Sequence, residues 1–397
     1  MSKNTKSRIL NTRQEHIYGY ALRNIVALQN RDGSWGNKQE AVVLTAQAVQ
    51  LMIALGYSLH TPNVQKALHW LDSNINKGDK HWTTLLEIGL KTERFNEFLR
   101  EGDIQDFVDD LNKYFDDPMS SSLDFYWDVL PTLIALFPYE DDYTKKTNEV
   151  IPHEKVINRI NTECKDPDGI YMSIDYKPNN TGLVALYYMT IAKKRKFAGY
   201  KEKARAMIRW LIECRNIDDN DELGSGINWL GSRSITSYIL IDLHRCLDNN
   251  DPIRKYFKDI IRFITPKENG LCSYDRYTTY NSNIHANPLY ITILSCRAMA
   301  EVLRTTSPKS FDGIIEKMED RDFFKDLDYR WTYFKICNPG FMPYLICCAV
   351  VLIGIGIVGT DLNGGVRFQI GLMIISAGVA TALSVYITTK YINNKGR

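Results

Sequence analysis

Asp124 and Asp128 stand four residues apart, a spacing that puts two carboxylates on one face of a helix. Carboxylates so placed are the candidates in this chain for a catalytic proton donor. The adjacent pairs Asp109-Asp110, Asp116-Asp117 and Asp141-Asp142 read instead as solvated charges in loops or at helix ends. The run KKRK, Lys193 to Lys196, reads the same way, because cations are ordinary at a helix C-terminus. Eight cysteines are scattered without a CxxC spacing, which suits reduced thiols in a cytosol. The formal net charge is +2 and no basic stripe carries interleaved aromatics, so nothing points to nucleic acid as a partner.

The elements that must position any such chemistry repeat. The stretch QNRDGSWG, Gln29 to Gly36, returns in degraded form around Gly78, Ser122, Gly169, Gly226 and Gly270. The steps are about 45, 44, 47, 57 and 44 residues. A period of this size marks a pair of elements that cannot bury its apolar face alone. In each unit a helix ends in an aromatic or apolar cluster, as in HWLDSN and RWLIEC. A turn with glycine and an aromatic follows, and then a second, more apolar helix. VVLTAQAVQLMIALG, TGLVALYYMTIA, SITSYILIDLHRCL and PLYITILSCRAMAEVL are such second helices. Being apolar nearly all round, they are expected on the inside, with the charged first helices outside. Periodicity alone leaves open whether six pairs stack as a solenoid or close as a ring.

The C-terminus has another character. Phe341 to Gly359 contains no charge, and Phe368 to Thr388 is polar only through Gln, Ser, Thr and Tyr side chains. Each matches the roughly 20-residue helix that crosses a bilayer core. Arg330 and Lys335 flank one outer end, and Lys390, Lys395 and Arg397 the other, whereas Arg367 in the connecting turn is opposed by Asp361. The positive-inside bias therefore expects a two-pass membrane protein with both termini and the large domain in the cytoplasm. The N-terminal segment has no apolar core of a signal peptide. Ser376, Ala380 and Ser384, at four-residue spacing, would let spans approach closely, within the hairpin or between copies in a homo-oligomer.

QNRDGSWG followed by a helix with TAQAV resembles the repeat of squalene/hopene and oxidosqualene cyclases. It is similar also to the Gly-aromatic repeats of protein prenyltransferase β subunits. The resemblance covers about residues 15 to 304, sharply only in the first unit. It implies an all-α fold: an α/α toroid of about six helical hairpins around an apolar lumen, completed here by two C-terminal transmembrane helices. The expected domains are 1–304 for the toroid, 305–340 as a connecting segment, and 341–397 for the transmembrane hairpin with its basic tail. It also implies that Gln29 and Trp35 tie neighbouring helices together. The cyclase acid motif, DxDD before a small-residue helix, falls on KPNNTGLVAL. There Lys177, Asn179 and Asn180 stand in place of carboxylates, and an amide cannot donate a proton as a carboxylic acid does. The prenyltransferase zinc set fares no better: its nearest equivalents, Cys272, Asp275 and His285, have the wrong spacing, so no metal or cofactor is expected.

What survives is an aromatic interior. The ligand-binding candidates at its mouth and lumen are Trp82, Tyr126, Tyr171, Tyr176, Trp229, Tyr274, Tyr277, Tyr280 and His285. Their faces suit an isoprenoid tail or a cation. Three readings follow. The first is a membrane-anchored toroid binding an isoprenoid or other small ligand without cyclase activity. The second is a polyprenyl-processing enzyme with a non-standard acid, for which Asp124 and Asp128 are the candidates. The third is a sensor–effector, whose layout resembles that of bacterial stress and phage-defence proteins that act on the membrane.

Overall fold

A computed structural model describes residues 9–37, 40–75, 83–91, 103–117, 123–163, 178–218, 226–272 and 287–319. Two compact units divide the chain, Met1–Arg321 and Asp322–Arg397. The second, with the predicted hairpin 341–388 and most of the predicted connecting segment, lies outside the described residues. Among the described residues no helix is long and apolar enough to cross a membrane.

The first unit is almost wholly helical. Its helices are α1 (Thr12–Ala27), α2 (Ala41–Ala54), α3 (Pro62–Asn74), α4 (Thr83–Lys91), α5 (Asp103–Asp116), α6 (Leu130–Leu136), α7 (Glu140–Thr147), α8 (His153–Glu163), α9 (Pro178–Ile191), α10 (Tyr200–Glu213), α11 (Arg233–Cys246), α12 (Phe257–Ile264), α13 (Pro288–Thr306) and α14 (Pro308–Glu319). A π-turn, Phe125–Val129, leads into α6. The starts are written in the sequence. Asn11 and Gln14 form a capping box on α1, and Pro62 and Pro288 open α3 and α13, where a missing N–H costs nothing.

The helices sort into two sets. Those following the Gly-aromatic turns are buried on nearly every face: α13 buries Pro288 through Ala300 without a break. The preceding helices bury one stripe only, as α10 does with Ala204, Met207, Ile208, Leu211 and Ile212. Contacts between members of the buried set run α2 to α4, α4 to α6, α6 to α9, α9 to α11, α11 to α13, and α13 back to α2. Outside them α3 packs on α2, α5 on α4, α10 on α9 and α12 on α11. Each fully buried aliphatic side chain between these helices contributes roughly 1.5–3 kcal/mol.

The predicted repeat is visible as a repeated set of hydrogen bonds. Trp35 donates its indole N–H to the Ile25 carbonyl at 2.7 Å and its backbone N–H to Thr45 Oγ1 at 3.0 Å. Trp229 donates its indole N–H to the Leu211 carbonyl at 2.8 Å and its backbone N–H to Thr236 Oγ1 at 3.1 Å. At the third equivalent place Cys272 stands in, its backbone N–H reaching Thr292 Oγ1 at 2.9 Å and its thiol the Ile264 carbonyl at 3.8 Å. Each turn is thus pinned to an outer helix end on one side and an inner-helix threonine on the other. Gln29 donates its amide to the Gly33 and Asn63 carbonyls and so joins the first turn to α3. Gly33 has φ +102°, and a Cβ there would strike the Lys66 backbone.

Two features depart from expectation. A short antiparallel ribbon, β1 (Asn216–Asp218) with β2 (Gly226–Asn228), interrupts an otherwise helical unit. It occupies the long interval of about 57 residues, whose surplus chain pairs with itself and packs on α12. Further on, residues 308–319 are not mere connection. They form α14, which packs against α1. The approach is so close that a Cβ on Gly19 would lie 2.8 Å from the Ile314 carbonyl oxygen. Gly19→Ala is therefore expected to destabilise the unit by about 1–3 kcal/mol despite alanine's better helix propensity. Thermal melting of the variant checks this, and an unchanged or raised midpoint would show that the two helices separate at little cost.

Two histidines fasten the helices, His153 buried and His244 half-buried. His153 contacts Tyr187 Oη at 2.8 Å and Glu140 Oε2 at 3.0 Å, and Lys194 reaches the other Glu140 oxygen at 2.9 Å. Burial pushes the Glu140 carboxyl up, but the hydrogen bonds from His153 and Lys194 outweigh it and hold the group below its ordinary value. His244 on α11 is pushed down to about 4 by burial and by the Arg254 guanidinium, whose Nη1 lies 3.2 Å from its Nδ1. The unfolded chain takes up that proton near 6.5 and the folded chain only near 4. Stability contributed by neutral His244 is therefore present above pH 6.5 and lost as pH falls towards 4. His244→Gln should flatten the stability profile in that window. An unaltered profile would assign the decline to other groups.

Candidate functional site

The buried helices share one cavity of about 130 Å³. α2 contributes Val43, Ala46, Gln47 and Gln50, α4 contributes Glu87, and α6 contributes Pro131 and Ile134. Asn179, Asn180, Leu183 and Leu186 come from α9, Tyr238, Ile241, Asp242 and Arg245 from α11, and Arg297 from α13. The π-turn adds Tyr126 and Trp127. A π-turn widens the helix by one residue and commonly sits at a site. Here Asp124 caps it, Oδ1 accepting from the backbone N–H groups of Tyr126 and Trp127 at 2.9 Å each. The Trp127 indole meets the Tyr238 ring edge-on, centroids 5.6 Å apart, and Tyr238 Oη lies 2.6 Å from Tyr290 Oη.

The lining is more polar than the apolar lumen that the resemblance implies. Inward charges are tolerated because they are paired. Arg245 donates to Glu301 through Nε at 3.1 Å and Nη2 at 2.7 Å. Arg297 donates to the same carboxylate at 2.9 Å and to Gln47 Oε1 at 2.8 Å. Burial works against the charge on Arg245, but Glu301, Asp242 and Glu87 outweigh it and raise its pKa. Burial pushes the Tyr238 phenol up to about 12, with Glu87 and Asp242 adding to the effect and Tyr290 and Arg297 opposing it. Tyr238 is therefore a neutral hydroxyl at physiological pH.

The sequence-predicted residues fall into three groups. Tyr126 lines the cavity, as do Asn179 and Asn180, whose side chains meet at 3.1 Å. Trp229 does not line it. It is 1 % exposed and spent on the turn-pinning bonds of Trp35. Asp124 and Asp128 are also outside the lining. Asp124 is occupied as a cap, and buried Asp128 accepts from the Thr83 hydroxyl at 2.7 Å and the Asp124 N–H at 2.8 Å. Their four-residue spacing arises from the π-turn and its cap. Trp82, Tyr171, Tyr176, Tyr274, Tyr277, Tyr280 and His285 lie outside the described residues, as do Lys177 and Asp275. Among the described residues no cluster of three His, Cys, Asp or Glu could hold a metal ion.

Reasoning from sequence missed Gln47, Gln50, Glu87, Trp127, Tyr238, Asp242, Arg245 and Arg297. A signal existed for the charged ones: Glu87, Asp242, Arg245 and Arg297 are isolated charges in segments otherwise apolar enough to be buried. Comparison with known protein families, curated proteins and solved structures finds no match for this chain.

Proposed function

We propose that the first unit is an α/α toroid that binds a small molecule in its lumen, held to a membrane by the hairpin 341–388, and that it is not a class II cyclase. The observation that carries this reading is the shared cavity: all six helices of the closed contact circuit line it. Where the resemblance would have an acid, the cavity presents the Asn179 and Asn180 amides. Its other polar groups include the Gln47 and Gln50 amides, the Tyr238 hydroxyl and the Arg245 and Arg297 guanidinium groups that Glu301 holds, and its volume is below the roughly 300–1,000 Å³ of ordinary ligand pockets. Of the ligands considered, a compact polar molecule suits the described lining better than a polyprenyl chain, whose hydrocarbon would strip water from these charges at a cost.

Mass spectrometry of the denatured full chain tests the reading. A stoichiometric small molecule should be released from the native protein and be absent from Leu183→Trp, which fills the cavity from α9. Folded protein that carries nothing, and melts identically with and without the filling side chain, would remove the ligand reading. Incubation with squalene or oxidosqualene should yield no cyclised product, and turnover would restore the cyclase reading. For the anchor, a cysteine at Thr360 should be labelled from outside the cell and one at Ser2 should not. Release by high salt alone would rule out spanning.

A further inference from the structure

Two glutamines on α2 differ in how their amides are spent. Gln47 and Gln50, three residues apart, share a helix face, and both line the cavity. The Gln47 oxygen is engaged: it accepts from Arg297 Nη1 at 2.8 Å. A guanidinium only donates, so this bond fixes which end of the amide is which and leaves the Gln47 NH2 group as a donor. Gln50 is engaged nowhere. It is 7 % exposed, its Oε1 has no hydrogen-bond partner, and among the described residues no bond holds its Nε2. Buried polar groups are bonded with few exceptions, so an amide left open on a cavity wall points to a group that arrives. The rest of the lining agrees in kind. α9 adds two further amides, Asn179 and Asn180, bonded to each other at 3.1 Å, and Trp127 and Tyr238 supply aromatic surface. The cavity of about 130 Å³ is close to the roughly 150 Å³ that holds one benzene ring.

We propose that the cavity takes one small planar ring carrying a cis amide, a lactam or cyclic imide, whose C=O accepts from the Gln47 amide and whose N–H donates to Gln50 Oε1. The pairing follows from geometry. An open-chain secondary amide is trans and sends its N–H and C=O in opposite directions. A ring forces the cis form and sets both on one edge, which is what a donor and an acceptor side by side on one helix face can read. The same ring presents a flat face to the aromatic side chains, which favour offset or edge-on contact with it. The volume admits the ring and excludes a sugar or phosphate attached to it. The unspent groups are uncharged amides, so the edge they recognise is uncharged as well. This inference rests on the proposal that the cavity is a ligand site, and it adds the class of ligand and the edge by which it is held.

Calorimetric titration of the full chain in detergent tests this with three probes: uracil, 2-pyridone, and 1,3-dimethyluracil, in which methyl groups replace both N–H donors. Uracil and 2-pyridone should bind one to one, and 1,3-dimethyluracil about tenfold or more weakly, the worth of a hydrogen bond lost at a buried acceptor. Leu183→Trp, which fills the cavity, should abolish binding of both lactams. Gln50→Leu should weaken them by about tenfold or more, yet melt without ligand at the same temperature as the parent or higher, because an open buried amide is gone. A structural role for Gln50 would lower that melting temperature, and such a fall would overturn the proposal. Equal binding of uracil and its dimethyl derivative, or lactam binding indifferent to Gln50→Leu, would overturn the edge assignment. Silence of both lactams would overturn the proposal too, and the co-purification experiment then decides separately whether the cavity holds any ligand.

Discussion

Glu301→Ala should cost the folded state about 2–4 kcal/mol, less than removing one partner of a fully buried ion pair, because the Arg245 side chain is 29 % exposed. The Glu301 side chain is 15 % exposed, and it is the carboxylate to which both Arg245 and Arg297 donate. Alanine would leave the Arg245 and Arg297 guanidinium groups without their shared acceptor, Arg297 keeping its bond to Gln47. Glu301→Gln should fall between, since the amide oxygen keeps one acceptor but the charge is gone. Arg245→Leu in the alanine background should recover part of the loss, because one guanidinium fewer is then left without its acceptor. Denaturant unfolding of the three variants is the measurement. A loss below about 1 kcal/mol for Glu301→Ala would mean that solvent screens the triad as it does a surface pair.

Trp35→Ala should be comparably severe, about 3–5 kcal/mol, the usual cost of truncating a fully buried aromatic. Trp35 is 0 % exposed, and its indole closes the first repeat onto the end of α1. Trp35→Phe keeps most of the packing but loses the indole bond to the Ile25 carbonyl, which still accepts from the Leu28 N–H at 3.2 Å, at a cost of about 0.5–1.5 kcal/mol. The equivalence of the turns makes this a graded test. Trp229→Ala should match Trp35→Ala, while Cys272→Ala should cost much less, because a thiol at 3.8 Å is a weak donor and a small side chain. Equal losses at all three sites would mean that burial alone, and not the pinning bonds, sets the energy.

These turns were the most legible part of the chain, because a glycine with positive φ followed by an indole is a local requirement. The inner helices were legible for the same reason: a helix buried on every face must be apolar on every face. The cavity was not. Arg297 reads as a break in the apolar run of α13, and only the fold shows that Glu301, one turn on, and Gln47, 250 residues away, make it tolerable. That Asp124 and Asp128 lie outside the cavity lining was illegible for a related reason. Helical spacing puts carboxylates on one face whether that face holds a proton for chemistry or caps the next turn. Trp229 looked like a lumen aromatic because an indole in a repeat turn and an indole in a wall share the same flanking glycine.

The contact between α1 and α14 places the beginning and the end of the unit side by side. The Leu10 amide donates to Ser310 Oγ at 3.2 Å across 300 residues, and Asn287 reaches Glu40 at 2.7 Å. For a ribosome this sets a timetable. The faces of α1 and α2 that await α14 and α13 must emerge first and stay uncovered until residue 319 has been made. At about 5–20 residues per second, that is tens of seconds of unsatisfied apolar surface. The same adjacency makes the order of the units a matter of convention. A gene reading from α3 to α14, then through a short linker into α1 and α2, would encode the same neighbours while exchanging which surface waits longest.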